Sequence, residues 1–257
     1  MLEKLNELYN LNITKIIKNK ESTIGNVYNI YTKTTKYIMK IYDSKKHTLS
    51  MINVHSFLNQ NNMNVPKIIL NKNNKGYVII NKKYYVIYSY LEGKSLGNIF
   101  QVIDKETSIL LAKKLKEFHD IIKENKYNLD EIPFKNDKTF KRTSILHFDL
   151  TKSNIFYNNK WQDKIGFIDF DDAKYGPSIY DVAILISLLF ISKKYGINKE
   201  GIETFINTYY EDETIKNEEV PYLKECAIKW LDYTIKTNNF DASIKESFEI
   251  KKQLLEQ

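Results

Sequence analysis

Short runs of alternating apolar and polar residues dominate residues 1–92. Residues 13–19 and 27–32 predict two strands of a hairpin around the polar turn ESTIGN, and residues 37–42, YIMKIY, predict a third strand. A helix-like stretch follows over residues 47–61. A strand led by Pro66 (residues 66–70), an Asn- and Lys-rich turn and two apolar runs, YVII and YYVIYSYLEG, come next. This pattern predicts a small antiparallel sheet with one helix.

The hydrophobic period changes from two residues to about 3.6 beyond Gly93. Residues 105–123 predict an amphipathic helix packed on its apolar face. Residues 180–191 are almost wholly apolar and predict a buried helix, because a membrane span needs about twenty residues. Amphipathic patterns over residues 199–210, 220–236 and 241–255 complete a mainly helical region. The fold class expected from these elements is α+β.

Candidate chemistry is concentrated in residues 145–172, ILHFDLTKSNIF followed after a short gap by IGFIDFDD. Asp149 can accept a hydroxyl proton, while Asn154 and Asp169 offer the oxygen ligands that magnesium prefers. Predicted strands over residues 143–146 and 155–157 would hold the loop between them. The alternative is that Asp149 and Asp169 are turn residues that end strands. His147 is expected to brace the loop by a hydrogen bond.

HFDLTKSN and FIDFDDAKYGPSIYDVA resemble the catalytic loop and metal-binding segment of the aminoglycoside phosphotransferase and choline kinase-like family. The resemblance implies a two-lobed protein kinase-like fold, with residues 1–92 as a nucleotide-binding N-lobe and 93–257 as a catalytic and acceptor-binding C-lobe. It further implies ATP or GTP as phosphoryl donor, with Mg²⁺. Asp149 would then be the catalytic base, Asn154 and Asp169 the magnesium ligands, and Asp181 a support for the catalytic loop.

Residues upstream fit the same resemblance. The hairpin carrying Gly25 would cover the phosphates, Lys40 would pair with them, and backbone groups of Ser89 and Leu91 would face the adenine edge. Each also has a plainer interpretation: an ordinary hairpin, a lysine on the solvent face of a strand, and a buried strand of the sheet. The family's glutamate partner of the lysine falls on Met51. No Asp or Glu occurs between Asp43 and Glu92, so this helix cannot supply the ion pair.

Charge is segregated along the chain. Residues 1–91 carry fourteen Lys against four acids, whereas residues 200–257 carry seven Lys against thirteen acids. A basic N-lobe suits a polyanionic nucleotide, and acidic helices suit a cationic acceptor such as an amino sugar; alternatively, these are ordinary solvated helix faces. Trp230, Tyr233 and Phe240 either bind a quaternary amine by cation–π contact or form core at helical spacing, the second being favoured.

Composition excludes several other classes of function. Arg142 is the only arginine behind the net charge of +7, and specific nucleic-acid recognition relies on arginine forks, so no nucleic-acid partner is expected. The single cysteine, Cys226, excludes an internal disulfide and favours a reducing compartment. The N-terminal residues lack the pattern of a secretory signal, so we expect a cytoplasmic protein without a membrane partner.

The sequence therefore predicts an ATP- or GTP-dependent phosphotransferase that acts on a hydroxyl of a small molecule, with a cationic acceptor such as an aminoglycoside as one candidate. Two alternatives stay open: a metabolic kinase for choline, homoserine or a related alcohol, and a non-catalytic nucleotide-binding protein, for which Met51 is the argument.

Overall fold

The computed structural model describes residues 1–19, 26–121, 126–134 and 139–257. The chain divides into two compact units, Met1–Glu92 and Gly93–Gln257. That the first unit binds nucleotide and the second binds the acceptor stays a prediction.

The first unit is built on a five-stranded antiparallel sheet with the strand order β1-β2-β3-β5-β4. The predicted hairpin, third strand and helix are confirmed as β1, β2, β3 and α2. The elements in chain order are α1 (Leu2–Leu8), β1 (Lys15–Lys18), β2 (Val27–Tyr31), β3 (Lys36–Tyr42), α2 (Lys45–Gln60), β4 (Val78–Ile80) and β5 (Lys83–Ser89).

The strand predicted over residues 66–70 is wrong: this segment makes only an isolated bridge, between Ile68 and Tyr88. Pro66 has no N–H to donate, and the N–H of Lys67 bonds the hydroxyl of Ser89 at 2.8 Å rather than a backbone carbonyl. Two backbone bonds remain, from Ser89 to Lys67 and from Ile69 to Ile87. The segment therefore follows the edge of β5 without forming a ladder.

The core of the first unit includes Tyr9, which follows α1 and is 1 % exposed among apolar side chains of the sheet. Within the described parts of the chain, no group lies within hydrogen-bonding distance of its hydroxyl. A buried hydroxyl without a partner has lost its bonds to water and gained none in return, which destabilises the folded state. The same burial raises the pKa of Tyr9 well above its ordinary value.

We expect Tyr9→Phe to raise the free energy of unfolding by about 1 kcal/mol, because it removes only the unsatisfied group. The matched control is Tyr42→Phe, whose hydroxyl lies 2.9 Å from that of Tyr88 and whose loss should cost about 1 kcal/mol. Urea unfolding of the three proteins measures both effects. A destabilised Tyr9→Phe protein would contradict the prediction.

The second unit is mainly helical, and its described residues form three small antiparallel sheets: β10-β7, β11-β12 and β6-β8-β9. Its elements in chain order are β6 (Lys94–Ser95), α3 (Lys105–Ile121), β7 (Thr143–Leu146), β8 (Ile155–Tyr157), β9 (Ile165–Phe167), β10 (Lys174–Pro177), α4 (Ile179–Leu185), β11 (Ile191–Ser192), β12 (Gly196–Ile197), α5 (Lys199–Tyr209), α6 (Glu213–Glu219), α7 (Leu223–Thr237) and α8 (Ala242–Glu256).

The strands predicted on either side of the catalytic loop are confirmed as β7 and β8, and the long helices are confirmed as α3, α5, α7 and α8. The apolar helix differs in its second half, where α4 continues as a π-helix over Ile186–Phe190. Lys251 of α8 is buried and donates to the carbonyl oxygens of Ser187, Leu188 and Ile191 at the end of that helix. Across the described residues, no helix is long and apolar enough to cross a membrane.

Candidate active site

Two antiparallel strands of the second unit bring the predicted site residues together. The loop of residues 147–154 connects β7 to β8, and β8 pairs with β9 so that Ile155 lies opposite Phe167. One step further, the N–H of Ile168 donates to the carbonyl of Asn154 at 3.0 Å. The end of the catalytic loop therefore lies beside Ile168, which immediately precedes Asp169.

Asn154 is hydrogen-bonded directly to Asp149. Its side-chain amide Nδ2 donates to Oδ2 of Asp149 at 2.7 Å and to the backbone carbonyl of Asp149 at 2.9 Å. These two bonds use both amide hydrogens and fix one carboxylate oxygen of Asp149. Oδ1 of Asp149 is left to meet a hydroxyl, and Oδ1 of Asn154 is left as the atom with which this side chain would hold a divalent ion.

The predicted supporting role of Asp181 is confirmed. This fully buried carboxylate at the start of α4 accepts from the backbone N–H of His147 at 2.7 Å and from that of Phe148 at 2.9 Å. His119 of α3 lies 3.2 Å from the same carboxylate through Nε2, and the Tyr209 hydroxyl lies 2.7 Å from His119 Nδ1. Burial lowers the pKa of His119. Because the Asp181 carboxylate can only accept, Nε2 of His119 donates to it.

His147 links the two halves of the site, as the sequence predicted for a bracing residue. Its Nε2 lies 2.8 Å from the carbonyl of Ile168, so this nitrogen carries the proton. Its Nδ1 then accepts from the backbone N–H of Asp149 at 3.4 Å. Asp149 and the segment leading to Asp169 are thereby tied to the same buried imidazole.

Two residues of the site adopt left-handed backbone conformations, Phe148 and Asp169, each with φ of 66°. Aspartate tolerates this region through its short polar side chain, whereas a bulky residue enters it only when its surroundings impose the conformation. The two hydrogen bonds to Asp181 hold the backbone next to Phe148 in place.

Carboxylates are crowded around Asp149. Burial raises the pKa of Asp149 to about 6, and the charges of Asp172 and Asp169 add to the increase, against the opposing influence of His147 and of the Asn154 hydrogen bond. The pKa of Asp172 is raised by desolvation and by the charges of Asp169 and Asp171. This excess of negative charge would be relieved by a bound cation.

The donor set of the site fits magnesium. Within the described ranges, no three His, Cys, Asp or Glu side chains are grouped as a protein-only metal site. Magnesium is commonly held by one or two protein oxygens, with water and substrate phosphates as the remaining ligands. Asn154 Oδ1 and the carboxylate of Asp169 are oxygen donors of the kind that would form such a pair.

Three of the four candidate nucleotide-binding residues of the first unit lie in its described part. Lys40 lies in the middle of β3, opposite Val27 and Val86, and Met51 is fully buried on α2. The N–H of Ser89 donates to the carbonyl of Lys67, and its hydroxyl accepts from the N–H of Lys67, so both groups bond the segment after Pro66. Leu91 follows β5, and Gly25 lies outside the described residues.

The acidic helices are less available to a cationic ligand than their composition indicates. Residues 93–257 as a whole carry 25 Lys and Arg against 27 Asp and Glu, nearly a balance. Six acids of the C-terminal region form ion pairs with lysines: Glu211, Glu213, Glu218, Glu225, Asp232 and Glu246. Asp212 and Asp241 accept from the first turns of α6 and α8.

The aromatic residues of this region pack against other aromatic rings. Trp230 and Phe240 both pack against Phe248, with ring centroids 6.1 and 5.4 Å apart, and Tyr233 packs against Phe134 at 5.6 Å. The favoured interpretation from the sequence, core at helical spacing, holds for Trp230, which is buried on α7, whereas Tyr233 and Phe240 are half-buried and Phe240 lies beyond the end of α7.

Comparisons with known proteins are consistent with this geometry. Residues 127–196 match the model of the phosphotransferase enzyme family. A search of curated proteins finds no match. The match covers the catalytic loop, β8, β9 and α4, which carry the residues described above.

Solved structures resemble the whole chain. An amicoumacin kinase in complex with AMP-PNP, Ca²⁺ and Ami is 17% identical with a TM-score of 0.68, over 99% of this chain and 92% of that one. A spectinomycin phosphotransferase in complex with ADP and spectinomycin is 14% identical with a TM-score of 0.67, over 99% and 95%. A microcompartment-associated aminopropanol kinase is 12% identical with a TM-score of 0.69, over 98% and 94%.

These findings confirm the fold class predicted from the sequence, because the chain has the α+β, two-lobed fold of the solved kinases named above, and its residues 127–196, which carry the candidate site, match the model of the phosphotransferase enzyme family.

Proposed function

We propose that this protein transfers the terminal phosphoryl group of ATP or GTP to a hydroxyl of a small molecule. The observation that carries the proposal is the pair of hydrogen bonds from Asn154 to Asp149, beside the segment that bears Asp169. This arrangement leaves one oxygen of Asp149 for the acceptor and one oxygen of Asn154 for a metal ion.

In the proposed reaction, Oδ1 of Asp149 aligns the acceptor hydroxyl and receives its proton. The hydroxyl oxygen forms a bond to the terminal phosphorus while the bond to the bridging oxygen breaks, and the nucleoside diphosphate leaves. A base with a pKa near the working pH is effective in such a step, and burial raises the pKa of Asp149 to about 6. Asn154 keeps the carboxylate from rotating, because it holds Oδ2.

Magnesium, when bound, would neutralise charge on the transferred phosphoryl group. Asn154 and Asp169 are the residues that would hold it. For the nucleotide, we propose Lys40 as the phosphate partner, Gly25 in a hairpin over the phosphates, and the backbone of Ser89 and Leu91 as contacts of the base. The nucleotides in the similar structures, AMP-PNP and ADP, support a nucleotide donor.

We expect Asp169→Asn to weaken binding of the magnesium–nucleotide complex by about tenfold while leaving metal-free binding unchanged, because the amide cannot supply a negative charge to the ion. Titration calorimetry of ATP with and without Mg²⁺ measures the difference. Asp171→Asn is the matched control and should retain the magnesium dependence. An equally strong magnesium effect in Asp169→Asn would reject this ligand.

The acceptor is proposed as an amine-bearing alcohol, on the strength of the carboxylates around the catalytic loop, Asp149, Asp171 and Asp172. The ion-paired C-terminal helices contribute little to that argument. The amicoumacin and spectinomycin enzymes support an antibiotic acceptor, and the aminopropanol kinase supports a metabolic amino alcohol as the second candidate.

A panel assay tests the proposal. Nucleotide consumption and phosphorylated product are measured with ATP and with GTP against aminoglycosides, spectinomycin, aminopropanol, choline, homoserine and neutral sugars. Transfer to an amine-bearing acceptor is expected. Nucleotide binding without transfer to any member would favour the non-catalytic alternative, and transfer to neutral sugars alone would reject the amine.

A further inference from the structure

Trp230 connects helix α7 to the catalytic loop through a single hydrogen bond. Its side chain is 3 % exposed, and its indole N–H donates to the backbone carbonyl of Phe148 at 3.2 Å. That carbonyl belongs to the peptide group whose nitrogen is the backbone nitrogen of Asp149. The bond therefore fixes the orientation of the peptide plane from which the Asp149 side chain starts.

This peptide follows a strained residue. Phe148 has φ of 66°, a left-handed conformation that is unfavourable for a bulky L-residue. Its N–H is held by Asp181 at 2.9 Å, and its ring packs between Phe134 and Tyr233. Trp230 bonds the carbonyl of Phe148, so the peptide groups on both sides of this strained residue are held by hydrogen bonds.

We propose that Trp230 is a positioning residue for Asp149, acting through the Phe148–Asp149 peptide. The inference rests on the proposed function, in which Asp149 must meet the acceptor hydroxyl within hydrogen-bonding distance. A small rotation of the peptide displaces the carboxylate, and a displacement of about 1 Å at the reacting group can cost about a hundredfold in rate. Asp181 holds the backbone N–H groups of the two residues before Asp149. Trp230 holds the carbonyl of the peptide group that joins Phe148 to Asp149.

A core role alone makes a different prediction. Buried indole N–H groups generally find an acceptor, and a residue that only fills space depends on its ring and not on its N–H. The positioning role and the core role of Trp230 can be distinguished by removing the indole N–H while keeping the shape of the ring. Replacement of Trp230 by 3-benzothienylalanine does this, because sulfur takes the place of the N–H in a ring system of nearly the same size. Trp230→Phe is the simpler variant, with thermal unfolding to verify that it folds.

The kinetic readout is the split between kcat and KM. We expect both variants to lower kcat about tenfold, with KM for the acceptor and for the nucleotide within about twofold of the original values, because only the base is displaced. Trp161→Phe changes the other tryptophan of the chain and should leave kcat unchanged. A kcat of the 3-benzothienylalanine protein equal to that of the original would overturn the proposal.

The second readout does not require activity. Hydrogen exchange of the Phe148 amide should be about tenfold faster in both variants, because loosening the carbonyl side loosens the bond to Asp181. An unchanged exchange rate would reject the role of Trp230 whether or not phosphoryl transfer is found. Absence of transfer by the unsubstituted protein would instead reject the proposed function, so the two failures are distinguishable.

Discussion

Asp149→Asn is expected to lower kcat by about 10²- to 10⁴-fold, the range that a positioned general base contributes. The amide keeps the size of the side chain and can still meet Asn154, but it cannot accept the proton of the acceptor hydroxyl. The measurement is steady-state turnover with the best acceptor from the panel assay. Because Asp149 is not a proposed ligand of the nucleotide, the dissociation constant of the nucleotide should change by less than about threefold.

Binding and turnover separate the possible results. A variant that binds nucleotide and fails to turn over supports the base. Full activity of Asp149→Asn would reject it, and loss of nucleotide binding together with activity would show that the side chain acts on the donor instead.

Asp181→Asn is expected to reduce both activity and stability. The carboxylate accepts from the backbone of His147 and Phe148 and from the ring of His119, and an amide can replace only part of this set. The NH₂ group would face a buried donor, leaving polar groups unsatisfied at a cost of about 3 kcal/mol in the free energy of unfolding. The loop would loosen at Phe148, so kcat should fall by at least about tenfold.

The matched control for this second variant is Asp232→Asn. Asp232 forms a half-exposed ion pair with Lys252 at 2.8 Å, and pairs at the surface contribute about 0–1 kcal/mol. Urea unfolding and turnover are measured for both variants. A stability loss of Asp181→Asn no larger than that of Asp232→Asn would contradict the bracing role.

The local sequence predicted the elements whose own spacing of apolar residues determines the buried face. The strands around the catalytic loop, the hairpin of the first unit and helix α3 were all anticipated, because alternating or 3.6-residue spacing of apolar residues determines which face is buried. The strand predicted after Pro66 is wrong because a strand requires a backbone partner for successive N–H groups, and the N–H of Lys67 bonds a side chain instead. Sequence spacing does not contain that information.

The sequence by itself determined the candidate residues of the site: Asp149 and Asn154 lie on one loop with His147 as a brace, and Asp169 follows the hairpin of β8 and β9, whose pairing places residue 154 beside residue 168. Only the tertiary structure decided what holds them. His119, Asp181 and Trp230 come from three different helices: Asp181 and Trp230 bond the backbone of the loop, and His119 bonds Asp181. Buried donors and acceptors must find partners, and which partners they find is decided when the core closes.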